Sequence, residues 1–138
     1  MKLVKNHNFL GLFVGIFGFL AVAIGAFGAH GLKPYLTQEM SVIFETGNKY
    51  HFYHTIMAAI SLVFVHLSHL SNGNGKSKSF SYATILFLVG ILFFSFSLYS
   101  LAISGVKVLG AITPIGGVFF LIGWTFFTKG IYSFFVPK

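Results

Sequence analysis

Phe9 to Ala29 is an unbroken stretch with no charge and no strongly polar side chain. As a helix rising ~1.5 Å per residue, it matches the roughly 30 Å hydrocarbon core of a bilayer. The stretch is longer than the apolar core of a cleaved signal peptide, so it reads as a retained span. Its small residues are ordered. Gly11, Gly15, Gly18, Gly25 and Ala29, with Val22 filling the gap, step by four, three, four, three and four. That spacing lays them on one stripe, with Phe9, Phe13, Ile16, Phe17, Leu20 and Phe27 opposite. Lipid offers no hydrophobic gain for helix association, so close backbone approach along such a seam must supply the packing. A second helix is expected to lie in it.

Composition extends the argument to the whole chain. Of 138 residues, 56% are hydrophobic and only 8% charged, far from soluble averages and consistent with a polytopic membrane protein of one domain. Cysteine is absent, which removes disulfides, thiolate catalysis and cysteine-ligated metals. No cofactor and no metal are expected. The net charge of +7 comes from lysines that outnumber Glu39 and Glu45. They sit between apolar spans rather than on one clustered face, so they report topology and not nucleic-acid binding.

Read in order, the chain predicts spans at 9–29, 50–67, 82–104 and 114–132. After Leu32-Lys33-Pro34, Thr37 is a candidate N-cap with Glu39 in the first turn. Residues 37–49 are mixed in polarity and predict a short amphipathic interfacial helix before the second span, bending at Gly47. Residues 71–81, SNGNGKSKSFS, read as a hydrophilic linker. Thr113-Pro114 reads as an N-cap followed by proline at the first helical position. Gly116, Gly123 and Gly130 repeat every seven residues and predict another packing seam. The fold class is all-α, an integral bundle of four transmembrane helices. Lys2, Lys5, Lys76, Lys78, Lys129 and Lys138 fall on one side, and Lys33, Lys49 and Lys107 on the other. The positive-inside bias therefore puts both termini and the 71–81 linker in the cytoplasm.

That topology gathers His30, Glu45, Tyr50, His54 and Thr113 at the outer rim as a candidate polar cluster. Tyr50 and His54 share a helix face with Gly47, Ala58 and Ser61. The functional reading is a polar site at which His54 takes a proton near neutral pH. The plainer reading has Tyr50 anchoring at the interface and His54 bonding between helices. Glu45 precedes Lys49 by four residues, the favourable order for an exposed helix pair. On a straight helix Glu45 faces away from His54, so a shared site needs a bend near Gly47. His51 with His54 and His66 with His69 are spaced for two ligands each, but no carboxylate completes a metal set near the second pair. Trp124 reads as a mid-span packing residue with its indole N–H bonded to a neighbour.

The segments Ala26-Phe27-Gly28-Ala29-His30-Gly31-Leu32, Phe44-Glu45-Thr46-Gly47 and Tyr50-His51-Phe52-Tyr53-His54 occur in that order. They are followed by Phe94-Ser95, Ser97-Leu98-Tyr99, Leu109 to Gly117 and Gly123-Trp124. Taken together they resemble the YgdD-like family of small bacterial membrane proteins of unknown function, over about residues 9 to 130. The resemblance implies a four-helix inner-membrane protein and implies no established activity. The leading functional expectation is a non-enzymatic role in structure, assembly or partner binding in the envelope, with lipid, other membrane proteins or further copies of the chain as partners. The alternative is an oligomeric proton-coupled carrier or channel for a small solute, using His54 and Glu45. A lipid-acting membrane enzyme is a third, for which no nucleophile or metal site assembles.

Overall fold

The computed structural model describes the backbone of residues 2–70 and 74–136, and the side chains of residues 8–70 and 77–136. Four long helices account for nearly all of it: α1 (Lys2–Phe27), α2 (Gln38–Leu70), α3 (Asn74–Ser104) and α4 (Thr113–Phe135). Each contains a stretch long and apolar enough to cross a membrane. Among the described residues there is no strand.

Local chemistry sets the connections. α1 ends in a widened π-type turn, Gly28–Leu32, followed by a tight turn, Lys33–Tyr35, that contains Pro34. Thr37 then caps α2: its Oγ1 accepts the Met40 N–H at 3.2 Å. α3 closes at Gly105, whose φ of 71° favours glycine and whose N–H reaches the Leu101 carbonyl at 2.8 Å.

Two sequence expectations are corrected here. The separate interfacial helix does not occur, because 38–70 is one continuous helix with no break at Gly47. Gly47 is instead buried against α3, where a Cβ would stand 3.1 Å from Leu98 and 3.2 Å from the Ser95 carbonyl. Within the expected linker, helix α3 already begins at Asn74. Ser77 Oγ bonds across to His69 Nε2 of α2 at 3.0 Å, and Ser81 Oγ donates to the Ser77 carbonyl one turn back in its own helix at 3.0 Å. Residues 71–73 lie outside the described residues.

α3 is the axis. Of its most apolar stretch 56% is buried, against 11% for that of α1 and 17% for that of α4, so the outer two helices present most of their surface outward. The α3–α4 seam is built on phenylalanines set into glycines. A Cβ on Gly116 would collide with the backbone of Phe94, and one on Gly123 would stand 2.9 Å from the Phe87 ring. A Cβ on Gly130 would stand 2.8 Å from the Phe80 ring. Gly90 returns the arrangement for Phe120 of α4, whose ring would stand 2.5 Å from a Cβ there. Both the glycines and the phenylalanines repeat every seven residues, so one antiparallel register satisfies every pair.

α1 lies antiparallel on α2, with Gly11 against Leu62, Gly18 against Thr55, Gly25 against Asn48 and Gly28 against Phe44. The expected stripe is adjusted. Gly15 meets nothing within 4 Å, and Val22 and Ala29 are exposed, whereas Ala21 and Gly28 are buried. A straight helix turns about 20° against each seven-residue repeat, which carries the contact line from Gly11 toward Ala21 and Gly28.

Candidate functional site

The residues expected at one rim divide into four places. Tyr50 and His54 belong to a cleft between α2 and α4, of about 850 Å³, lined chiefly by apolar and aromatic side chains including Phe94, Pro114, Phe120 and Trp124. Glu45 belongs to a smaller recess between the end of α1 and α2. Nine residues separate Glu45 from His54, which on an unbent helix is two and a half turns and therefore opposite faces. His30 is exposed in the π-type turn. Thr113 leaves the N-cap role expected of it, since α4 has no side-chain cap. Its hydroxyl pairs instead with Ser97 of α3 at 2.8 Å.

In the larger cleft His54 is held on every side. Its ring stacks on Phe120 with centroids 3.5 Å apart and planes 9° from parallel. Tyr50 stacks beside it and on Phe94, at 5.8 and 4.6 Å. His54 Nδ1 lies 2.9 Å from the Tyr50 carbonyl. A carbonyl can only accept, so the proton sits on Nδ1 and Nε2 is left bare. Nε2 then accepts the Trp124 indole N–H at 3.4 Å. Both nitrogens are committed, in a residue only 6% exposed.

A second buried network was not recognised as one from the sequence. Asn48 Nδ2 donates to the Ala21 carbonyl at 2.8 Å and to the Tyr99 hydroxyl at 3.2 Å. That hydroxyl lies 3.2 Å from His51 Nδ1. Because it already accepts from Asn48, its own proton is available to His51 Nδ1. His51 Nε2 is buried without a hydrogen-bond partner among the described residues, and the ring meets that of Phe17 edge to face. Three helices are thus tied by one amide, one phenol and one imidazole. The signal was present as Asn48, His51 and Thr55 at i, i+3 and i+7, a polar stripe on an apolar helix. His51 and His54 consequently serve different neighbours, and among the described residues no group of three or more His, Asp or Glu is placed to hold a metal ion.

Comparisons with known proteins agree with this architecture. A family model described as "Protein of unknown function (DUF423)" matches residues 24–117. A UPF0382 membrane protein of Staphylococcus epidermidis is 43% identical over 106 residues, 76% of this chain and 80% of the relative. The UPF0382 membrane protein YwdK of Bacillus subtilis is 41% identical over 105 residues, 76% of this chain and 80% of the relative. The UPF0382 inner membrane protein YgdD of Escherichia coli is 36% identical over 126 residues, 91% of this chain and 90% of the relative. No solved structure matches.

Proposed function

We propose, from the premise that this chain belongs to the DUF423/UPF0382 family of membrane proteins, that it neither catalyses nor transports but works by holding lipid or protein partners in the cell envelope. The observation that carries this reading is the pairing of most in-span polar groups with one another, His51 Nε2 and Ser95 Oγ excepted. Asn48, Tyr99 and His51 form one set, His54 and Trp124 another, Ser97 and Thr113 a third. A proton path needs a titratable group that can pick up a proton, turn and release it. His54 has both nitrogens engaged and a phenylalanine ring stacked on its face. Glu45, the other group a carrier would use, lies on the opposite side of α2. The outward faces of α1 and α4 supply the surface for partners, and the lysine distribution supports cytoplasmic termini.

The test is flux in proteoliposomes loaded with a pH-sensitive dye. Vesicles carrying the protein should dissipate a proton gradient no faster than protein-free vesicles. Flux that His54→Ala abolishes would overturn the proposal in favour of a proton-coupled carrier.

A further inference from the structure

The recess on the other side of α2 carries charged side chains that the helix packing above does not use. It encloses about 300 Å³ at the end of α1, beside the turn into α2. Gly25 and Gly28 form its floor, and Leu36 and Phe44 give it an apolar edge. Lys33, Ser41, Glu45, Asn48 and Lys49 also line it. The sequence Gly28-Ala29-His30-Gly31 runs past it as the π-type turn, a rare helix geometry frequent at functional sites. The side chain of Asn48 is informative. Both hydrogens of its amide are spent on Ala21 and Tyr99, while its Oδ1 accepts no hydrogen bond among the described residues. That oxygen sits 2.7 Å from where a Cβ on Gly25 would stand. Glycine therefore lets the Asn48 amide lie close against α1, which fixes this acceptor in the lining of the recess.

The charges select the ligand. Two ammonium groups alone would suit any anion. A carboxylate in the same recess repels a purely anionic headgroup and needs a cation of its own. We propose that the recess binds the headgroup of an aminophospholipid, a phosphodiester joined to a primary ammonium. Lys33 and Lys49 take the phosphodiester, and Glu45 with Asn48 Oδ1 takes the ammonium. The position fits a lipid rather than a soluble ester. The recess lies where the apolar span of α1 meets its polar turn, so acyl chains can run down the exposed face of α1 while the headgroup stays at the interface.

The test uses the purified, delipidated full chain in detergent, with native mass spectrometry reading bound lipid. Phosphatidylethanolamine should bind about tenfold more tightly than phosphatidylglycerol of the same chain length, the scale of one charge-assisted hydrogen bond. Glu45→Gln should erase that preference. Glu39→Gln, an exposed carboxylate outside the recess, should preserve it. Replacing Lys33 and Lys49 together by glutamine should weaken both lipids. Equal affinity for the two lipids in the unmodified protein, or a preference that survives Glu45→Gln, overturns the proposal. So does glycerophosphoethanolamine, the headgroup without chains, binding as tightly as the lipid. The result stands apart from the flux assay, since a lipid preference and a proton leak can each occur without the other.

Discussion

At the scale of single residues, the Tyr99 hydroxyl is the joint on which three helices meet. Tyr99→Phe keeps the ring, which packs 4.9 Å from Phe44, and removes only the oxygen. Asn48 then loses one acceptor and His51 loses its partner, both inside the apolar layer. Hydrogen bonds between membrane helices average about 0.6 kcal/mol and reach about 1.7. The expected loss lies toward the upper end, because one atom serves two partners. An unfolding titration from mild detergent into dodecyl sulfate measures it. A Tyr99→Phe protein that unfolds at the unmodified midpoint would show the joint to be ornamental. His54 carries the contrasting lesson. An imidazole in a membrane span invites a proton-relay reading, and the sequence left that reading beside a structural one. What separates them is the partner of each nitrogen: the Tyr50 carbonyl lies one turn back on α2, and the Trp124 indole comes into reach only once α4 is in place.

At the scale of elements, the glycine repeats behave as two different kinds of seam. On α4 the phenylalanine knobs of α3 enter the space a side chain would fill, and at Gly116 the obstacle is the Phe94 backbone itself. Backbone cannot swing aside, so Gly116→Ala must push α4 away from α3, at the 1–3 kcal/mol, roughly, typical of overpacking. Gly15→Ala faces open space and should leave the midpoint unchanged. Equal midpoints for the two variants in the same titration would refute the seam as described. The number of helices, their approximate limits and the α4 repeat were legible because hydropathy and spacing are local properties. The α1 stripe was legible only in part, since a stepping pattern of four and three fits two adjacent lines on a helix and the partner decides between them. The partner of the α4 repeat was also in plain view, as Phe80, Phe87 and Phe94 at the same seven-residue interval. The helical start of α3 was hidden for another reason. Asn, Gly and Ser signal a loop by intrinsic preference, and here the bond from Ser77 across to His69 of α2 overrides it.

At the scale of the whole molecule, the absence of cysteine makes the outward-facing end testable residue by residue. The α1–α2 turn and the α3–α4 connection lie at one end of the bundle, and the α2–α3 junction at the other, because successive helices run antiparallel. Exposed Tyr35 and Val108 report the first end and exposed Lys78 the second. Each accepts cysteine without touching the core. If both termini are cytoplasmic, a membrane-impermeant maleimide applied to intact spheroplasts should label Tyr35→Cys and Val108→Cys. Lys78→Cys should react only after lysis. The sign of the lysine count governs the outcome: six positive charges on the α2–α3 side against three on the other is a bias that insertion normally obeys. The reverse labelling pattern would invert the molecule, placing the aromatic cleft and the charged recess at the cytoplasmic leaflet. It would leave the helix packing untouched, since the phenylalanine–glycine register of α3 and α4 is the same whichever leaflet lies above it.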